Sequence, residues 1–448
     1  MPGFTASPIT SPNTTVSASQ SRPRGGATTS LKPAIAFLLL DLQGGGVQKM
    51  VSLVAGALAR RGYPVTLLLY NAQGPLQEQL PAADIRLVEL KAVPGWLARL
   101  YALAADPAGF KALLGPIILP RRTFKTLPYL PDLARYLQRE RPAVLFAATP
   151  DINIEAILAR QLAATSTRIV ISERTHASRL IALSPSDWRL RFLPGLMRRT
   201  YRQADAIVAV SNGVANDLAS IADLPRSRIT TIYNPTVQPD LPLKAQAPLE
   251  HPWFTADAPP IILSVGRLSK QKAFDTLLKA FARLRAERPV RLLILGDADS
   301  QSKRNRLNAQ LLGLAAELGV ADDVRLEGFI ANPFAYMARA AVFVLSSRFE
   351  GFPNVLVEAL ACGCPVVSTH CPSGPAEILD HGRFGPLVPV GDDLAMAEAI
   401  AAVLDRPLAK EQLRARAAMF SFEQAIDRYE AILLGKKRLI QSVSSGST

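Results

Sequence analysis

A chain of 448 residues, 49% of them hydrophobic, is too long for one ordinary core and has the apolar material for two domains of about 200 residues each. Its formal charge of +14 sits almost wholly in residues 1–235, which hold 27 Lys and Arg against 14 Asp and Glu, whereas residues 236–448 hold 24 against 23. The first half should therefore face something anionic. Nucleic acid is set aside because no helix-turn-helix, RNA-binding signature or zinc-finger spacing is present. A transmembrane helix is set aside because no run of about 18 apolar residues exists. Cys362, Cys364 and Cys371 cannot complete a structural zinc set and read as small, reduced core residues.

Residues 1–30 are rich in Ser, Thr and Pro without an apolar signal core, and read as a disordered leader. The first domain, residues 31–235, opens with an apolar strand at 34–40 and turns at Asp41-Leu-Gln-Gly44-Gly45-Gly46 into a helix from about Val47 to Arg61. Strands follow at Val65 to Tyr70 and Ile85 to Glu89. This alternation predicts a doubly wound parallel sheet, in which ligands sit beyond the carboxyl ends of the strands, where the glycines fall. The glycines form neither a dinucleotide fingerprint, whose third glycine would fall at Lys49, nor a P-loop.

Residues 94–130 interleave apolar and basic side chains, among them Trp96, Tyr101, Arg121 and Arg122. Two readings stand: a membrane-facing insertion, or a pair of solvent-covered helices. A helix at Pro131 to Glu140, a strand at Ala143 to Ala147, a helix at Ile152 to Ala163 and a strand at Arg168 to Ser172 come next. The loop from Ser172 to Arg179 again lies past a strand end and carries His176, which is either a structural histidine or a ligand contact. Trp188 to Arg202 mixes arginines with apolar residues and reads as an interfacial amphipathic patch or as an ordinary helix with a solvated basic face. A strand at Ala206 to Val210, a helix at Asn212 to Ser220 and a strand at Ile229 to Tyr233 complete the domain.

Residues 236–259 are proline-rich without periodicity and read as a linker. The second domain, residues 260–420, opens with Ile261-Ile-Leu-Ser-Val-Gly-Arg-Leu268, a strand running into a loop. Gly266 allows close backbone approach, and Arg267 and Lys272 flank the start of a helix from Ala273 to Glu287. Together they suit a diphosphate, each charge-assisted hydrogen bond contributing about 1.5–3 kcal/mol. A strand at Val290 to Leu295 ends in Gly296-Asp297-Ala298-Asp299, whose Asp-x-Asp spacing invites a metal reading. A further strand, Val324 to Leu326, precedes the buried strand Ala340 to Leu345.

That last strand runs into Ser346-Ser-Arg-Phe-Glu350-Gly-Phe-Pro-Asn-Val-Leu-Val-Glu358, with Asn354 opening a helix to Cys362. Glu350 falls on the turn and Glu358 about one turn into the helix. A helix N-terminus favours an anion, and an ionised carboxylate can only accept hydrogen bonds, which is what a ring of hydroxyls offers. Each acid taken alone also fits an ordinary solvated position. A helix at Leu394 to Leu404 and another at Phe420 to Leu434 capped by Ser421 follow, and residues 436–448 read as a disordered tail.

The block from Glu350 to Glu358 resembles the Glu-x7-Glu signature of glycosyltransferase family 4, and the likeness continues in register through Ala359 to Val367 and Pro372 to Leu379. Gly266-Arg-Leu-x3-Lys272 is similar to a second motif of the family. The resemblance covers roughly residues 34–435. It implies an α/β GT-B fold, two Rossmann-like doubly wound parallel-sheet domains with a cleft between them, the helix at 421–435 crossing back onto the first. It implies retaining, metal-independent transfer from a nucleotide sugar, with no cofactor. The turn at Asp297 would then cradle the nucleotide, Asn332 to Met337 would seat the base, and the loop with Gly45 and Gly46 would face the donor diphosphate. Carried onto this chain, the catalytic candidates are Glu350, His176, Arg267 and Lys272. The donor-binding candidates are Gly45, Gly46, Gly266, Arg267, Lys272, Gly351, Phe352, Pro353, Asn354, Val355 and Glu358.

Within the family, Gly44 to Lys49 and Cys371 to Ile378 look most like enzymes that build lipopolysaccharide cores or lipid-linked oligosaccharides. That likeness implies a UDP-sugar donor, a lipid-linked or cell-envelope glycan acceptor, and a cytoplasmic enzyme held peripherally on the inner face of the plasma membrane through its basic first half. Each basic residue near an anionic surface adds about 1 kcal/mol. Two alternatives share the fold: a nucleotide-sugar epimerase, and a non-catalytic membrane-associated scaffold.

Overall fold

The computed structural model describes residues 32–43, 45–80, 85–109, 125–184, 187–298 and 300–436. The expected leader, Gly44, the pair Arg121 and Arg122, Asp299 and all but the first residue of the expected tail lie outside the described residues. From Pro33 onward the chain forms one compact unit, built on two parallel sheets. The first contains β1 (Ile35–Leu39), β2 (Val65–Leu69), β3 (Ile85–Glu89), β4 (Val144–Ala148), β5 (Arg168–Glu173), β6 (Ala206–Ala209) and β7 (Ile229–Thr231), in the spatial order β3-β2-β1-β4-β5-β6-β7. The second contains β8 (Ile261–Val265), β9 (Arg291–Leu295), β10 (Val324–Leu326), β11 (Val342–Leu345), β12 (Val366–Thr369) and β13 (Leu387–Val388), in the order β10-β9-β8-β11-β12-β13.

Every pairing is parallel, for example Ile35 opposite Val65 and Val144, and Val342 opposite Ile262. Parallel sheets need both faces covered, which is why β1, β4 and β11 are buried along their whole length and carry no polar alternation. On one face of the first sheet Ile35, Phe37 and Leu39 pack with the helix Gly46–Arg60 and the helix Phe422–Leu433; on the other Ala36 and Leu38 pack with the helices Leu130–Glu140 and Pro150–Ala163. This second core runs on into the second sheet through Leu263, Phe343 and the helix Asn354–Ala361.

In each sheet the connection reverses direction between two central strands, β1 and β4 in the first, β8 and β11 in the second. Loops beyond the carboxyl ends of such a pair splay apart and leave a crevice. The loops so placed are Leu40 to Gly46 and, in the second half, Gly266 to Lys272 together with Ser346 to Glu350. Topology alone thus brings Lys272 and Glu350 to one place.

The helix Phe422–Leu433 returns to the first half, where Tyr429 meets Phe146 edge-on at 5.9 Å and Arg61 bonds Glu430 at 2.7 Å. Four features depart from expectation. Ser421 occupies the cap position without a side-chain cap bond; the backbone there instead bridges Val237 in the linker. The linker holds a short helix, Leu241–Gln246, and is pinned by buried Trp253, on whose ring Arg291 and Arg325 lie at 5.0 and 4.9 Å. A helix Gln301–Glu317 fills the long connection before Leu307, and another, Lys410–Ala418, precedes the return helix.

In the arginine-rich segment Leu193, Leu196 and Met197 are buried, while Arg189 bonds Asp187 and Arg199 makes a bidentate pair with Asp106 at 2.6 and 2.8 Å. The helix packs through its apolar side, and Arg191, Arg198 and Arg202 of the segment are exposed. No helix among the described residues is long and apolar enough to cross a membrane.

Candidate functional site

The end of β8 and the end of β11 build the centre of the site. Gly266 leaves β8 so close to the following lysine that an added Cβ would touch Lys272 Cε at 3.0 Å. Ala273 then takes a left-handed turn, φ 48°, which aims Lys272 back across the strand ends before the helix Phe274–Glu287 begins. Lys272 Nζ lies 2.7 Å from Glu350 Oε1. The Ser347 hydroxyl donates to the same oxygen at 2.6 Å, and Gln271 Nε2 lies 3.5 Å from Oε2. Ser347 is itself fixed by Thr369, whose hydroxyl donates to the Ser347 carbonyl at 2.6 Å.

Glu350 is only 7% exposed, and its backbone is held on both sides by the Pro372 carbonyl and the Ser373 amide. The carboxylate is thus a rigid acceptor and Lys272 an adjacent, partly solvated cation. Arg267 is exposed one residue beyond Gly266. The first turn of the helix after Lys272 carries Asp275, which pairs with Arg348 at 3.3 Å. That helix end is therefore less electropositive than its position suggests. The turn after β9 is held by Arg304, which clasps the Asp297 carboxylate.

Immediately after Glu350 the two halves of the molecule touch. An added Cβ on Gly351 would run into the Arg174 carbonyl oxygen, so only glycine allows this approach. Its own carbonyl accepts from the Ser211 hydroxyl at 2.8 Å. The contact brings the loop with His176 next to the Glu350 turn. His176 precedes the helix Ala177–Leu183, and its Nδ1 is 3.2 Å from Asp217. Burial would raise the Asp217 carboxyl, but hydrogen bonds from His176 and Ser178 hold it below its usual range.

The helix Asn354–Ala361 begins without a side-chain cap and without acidic residues in its first turn. Its amides are available to an anion. Glu358, half-buried one turn further on, has its carboxyl pushed up by burial, opposed by the positive charge of Lys49. Lys49 belongs to the helix that Gly45 and Gly46 open in the first half, and that helix also lacks a side-chain cap. Two uncapped helix N-termini, one from each half, therefore bracket the crevice.

Three residues assigned to the donor by resemblance have their side chains turned elsewhere. Phe352 is buried, stacked on Tyr233 at 5.2 Å and packed on Phe420 at 5.5 Å. The Asn354 side chain accepts from Asn234 Nδ2 at 2.6 Å, joining the halves. Pro353 packs under Gly374. Only their backbones remain for a ligand, as for half-buried Val355. Ser347 and Gln271, which position Glu350, were missed. The hydroxyl three residues before Glu350 was the readable signal; nothing in the sequence pointed to Gln271.

The seam has its own electrostatics. The Glu377 carboxylate of the second half accepts from the backbone amides of Asn212 and Gly213 at 2.8 and 2.9 Å, capping the helix Asn212–Ile221 of the first. Arg174 bonds the Tyr429 hydroxyl at 2.9 Å and clasps Asn234. Behind the His176 loop, burial pushes the Glu173 carboxyl up to about 7 against its bonds from Tyr201 and Asn153. Burial also holds Cys371, next to Glu350, up at about 12, so its thiol is no nucleophile at neutral pH.

Comparison with known proteins gives a consistent result. The family model described as glycosyltransferase family 4 matches residues 44–236, and that of glycosyl transferases group 1 matches residues 259–406. The chain is 30% identical over 394 residues, 86% of its length and 95% of the other's, to the N-acetylgalactosamine-N,N'-diacetylbacillosaminyl-diphospho-undecaprenol 4-alpha-N-acetylgalactosaminyltransferase of Campylobacter jejuni. It is 34% identical over 246 residues to the lipopolysaccharide core biosynthesis glycosyltransferase LpsE of Rhizobium meliloti, covering 53% of this chain and 66% of that protein. In fold it matches HepE of Anabaena, solved in complex with UDP and glucose, with a TM-score of 0.67 at 20% identity, over 90% of this chain and all of that one.

Proposed function

The chain belongs to glycosyltransferase family 4, with both sheets of the GT-B fold in place, and from that premise we propose that it is a retaining hexosyltransferase using a UDP-sugar. The observation that carries the reading is the Lys272–Glu350 pair, 2.7 Å apart at the switch point of the second sheet and beside the open N-terminus of the helix Asn354–Ala361. Donor diphosphate would take over Lys272, with Arg267 and the helix amides completing its charge balance. Glu350, still held by Ser347, would then accept hydrogen bonds from the sugar hydroxyls. Glu358 would hold the ribose, with Lys49 of the opposite wall beside it.

Transfer proceeds without a protein nucleophile. The bond from the anomeric carbon to the diphosphate oxygen breaks, the acceptor oxygen bonds to that carbon from the same face, and the acceptor proton passes to the departing phosphate oxygen. Stabilising the charge that develops on the diphosphate is the main catalytic contribution. Two cations and one helix end supply it, so the reading requires no metal ion.

For the acceptor, we take a lipid-linked or cell-envelope glycan, as the name of the Campylobacter relative suggests, met at the inner face of the plasma membrane. The helix Gly95–Ala105 supports a membrane approach, because Ala98, Ala102 and Ala105 are buried while Trp96 and Leu100 are 65% and 54% exposed. UDP release, measured without acceptor across UDP- and GDP-sugars, tests the donor assignment: one UDP-sugar should give slow hydrolysis that Glu350→Ala abolishes. Full turnover by Glu350→Ala, or UDP affinity unchanged in Arg267→Ala and Lys272→Ala, would refute it.

A further inference from the structure

The first half carries one acid at the crevice that the reaction as proposed does not use. In the first sheet β4 lies between β1 and β5 and ends at Ala148. Thr149 then takes φ 149° and ψ 150°, a conformation that residues other than glycine rarely adopt, and turns the chain into the helix Pro150–Ala163. Backbone strain of this kind collects at functional sites. Asp151, in the first turn of that helix, is therefore flanked by the loop with Gly45 and Gly46 after β1 and by the loop with Arg174 and His176 after β5. Both of those loops meet the second half: the helix opened by the glycines brings Lys49 to bear on Glu358, and the Arg174 carbonyl comes up against Gly351. Asp151 thus stands in the middle of the wall that faces the donor-binding half.

Its electrostatics set it apart from its neighbours. Among the described residues no hydrogen-bond donor reaches the half-buried Asp151 carboxylate. Burial pushes it up to about 6, opposed by the positive charge of Arg189. Arg189 is itself taken by Asp187 in a bidentate pair at 2.7 and 2.8 Å. Glu155, one turn further along the helix, is buried, accepts from the Tyr70 hydroxyl at 2.9 Å and is pushed up by burial to about 8. Glu173 at the end of β5 is buried as well and raised to about 7. Asp151 is the most acidic of the three and the least enclosed. Polar groups withdrawn from water are ordinarily hydrogen-bonded, so a half-buried carboxylate with no donor marks a place where a ligand supplies one. An ionised carboxylate only accepts, so that ligand must present hydroxyl or amide N–H groups, and a phosphate or carboxylate at the same place would be repelled.

We propose that Asp151 selects the acceptor: its carboxylate takes hydrogen bonds from a hydroxyl or N-acetyl N–H next to the attacking oxygen of a neutral sugar, and its charge turns away acceptors that carry an acid there. The proposal rests on the transferase reading of Lys272 and Glu350 and adds the acceptor class to it. The sugar that receives the transfer is uncharged, and any lipid phosphate lies further along the acceptor. The transfer step is as written above, the acceptor proton passing to the departing phosphate oxygen.

The test is calorimetric titration of the full chain, saturated with UDP, with octyl glycosides below their micelle concentrations. The glucoside, galactoside, N-acetylglucosaminide and N-acetylgalactosaminide are the neutral probes, and the glucuronide and galacturonide are the acidic counterparts of the first two. At least one neutral glycoside should bind, about tenfold or more tighter than either acidic one, as expected for a charge-assisted hydrogen bond exchanged for a repulsion. Asp151→Asn should weaken the neutral glycoside about fivefold or more and remove most of the preference, with UDP affinity held as the sign of an intact fold. No binding of any neutral glycoside, or equal binding of neutral and acidic ones by the unaltered chain, would overturn the proposal without recourse to the variant. Indifference of the neutral glycoside to Asp151→Asn would overturn it too. Failure of every nucleotide sugar to be hydrolysed would instead strike the transferase reading and leave the glycoside titrations standing.

Discussion

The Lys272–Glu350 pair can be separated into its structural and ligand-binding parts by a double-mutant cycle. Lys272→Met leaves the Glu350 carboxylate, 7% exposed, with the Ser347 hydroxyl as its main partner. Removing one member of a buried pair costs about 3–5 kcal/mol. The retained Ser347 bond puts this case at the low end, about 3 kcal/mol. Glu350→Gln keeps an acceptor for Ser347, and Lys272, whose side chain is 15% exposed, can turn toward water, for a loss of about 1–2 kcal/mol. Combining the two removes the stranded charge, so the double variant should lose about 2 kcal/mol and the cycle should show a coupling of about 2–3 kcal/mol. Urea unfolding followed by circular dichroism at neutral pH, without nucleotide, measures it. Because the pair is shielded from solvent, the coupling should persist at about 1 M salt, where an exposed pair would be screened out. Losses that add to within about 0.5 kcal/mol would mean that the two charges do not interact in the folded protein, and the account of the donor taking over Lys272 would fall with it.

Two acids outside the pair carry further consequences. Glu173 is raised from an ordinary 4.5 to about 7, so between those values the folded protein keeps a proton that the unfolded chain has released. Its contribution is complete below about pH 4.5 and is lost as pH rises through about 7, at up to about 1.4 kcal/mol per unit. Glu173→Gln should flatten the fall in stability between pH 5 and 7 by about 2 kcal/mol in chemical unfolding; a variant profile with the wild-type slope would contradict it. At the seam, Glu377→Ala leaves the first two amides of the helix Asn212–Ile221 without their acceptor, while the Ser211 hydroxyl still caps the Val214 amide, and should cost about 1 kcal/mol of stability. Glu377→Gln, still able to accept, should cost less, and equal losses for the two would show that the cap bonds contribute nothing.

The parallel-sheet architecture was legible because each central strand is an unbroken apolar run and each crossover helix carries its own period, both local properties of the chain. The long helix Gln301–Glu317 was not anticipated, although Ser300 at its cap and leucines at 307, 311, 314 and 318 carry the signal, because the Asp-rich turn before it obscured its start. Motif spacing picked out Glu350, Lys272, Arg267 and Glu358. It did not show that Glu350 and Lys272, 78 residues apart, form one ion pair, since that depends on β8 and β11 being neighbours at the switch point.

What the residue order determined by itself was the alternation of strand and helix and the placing of glycines, cations and acids after strand ends, since a strand's carboxyl end is fixed by chain direction. Which face of the post-Glu350 turn meets a ligand was decided only in three dimensions. The two halves press together there, and that contact takes the side chains of Phe352 and Asn354 for the seam while leaving the helix amides open.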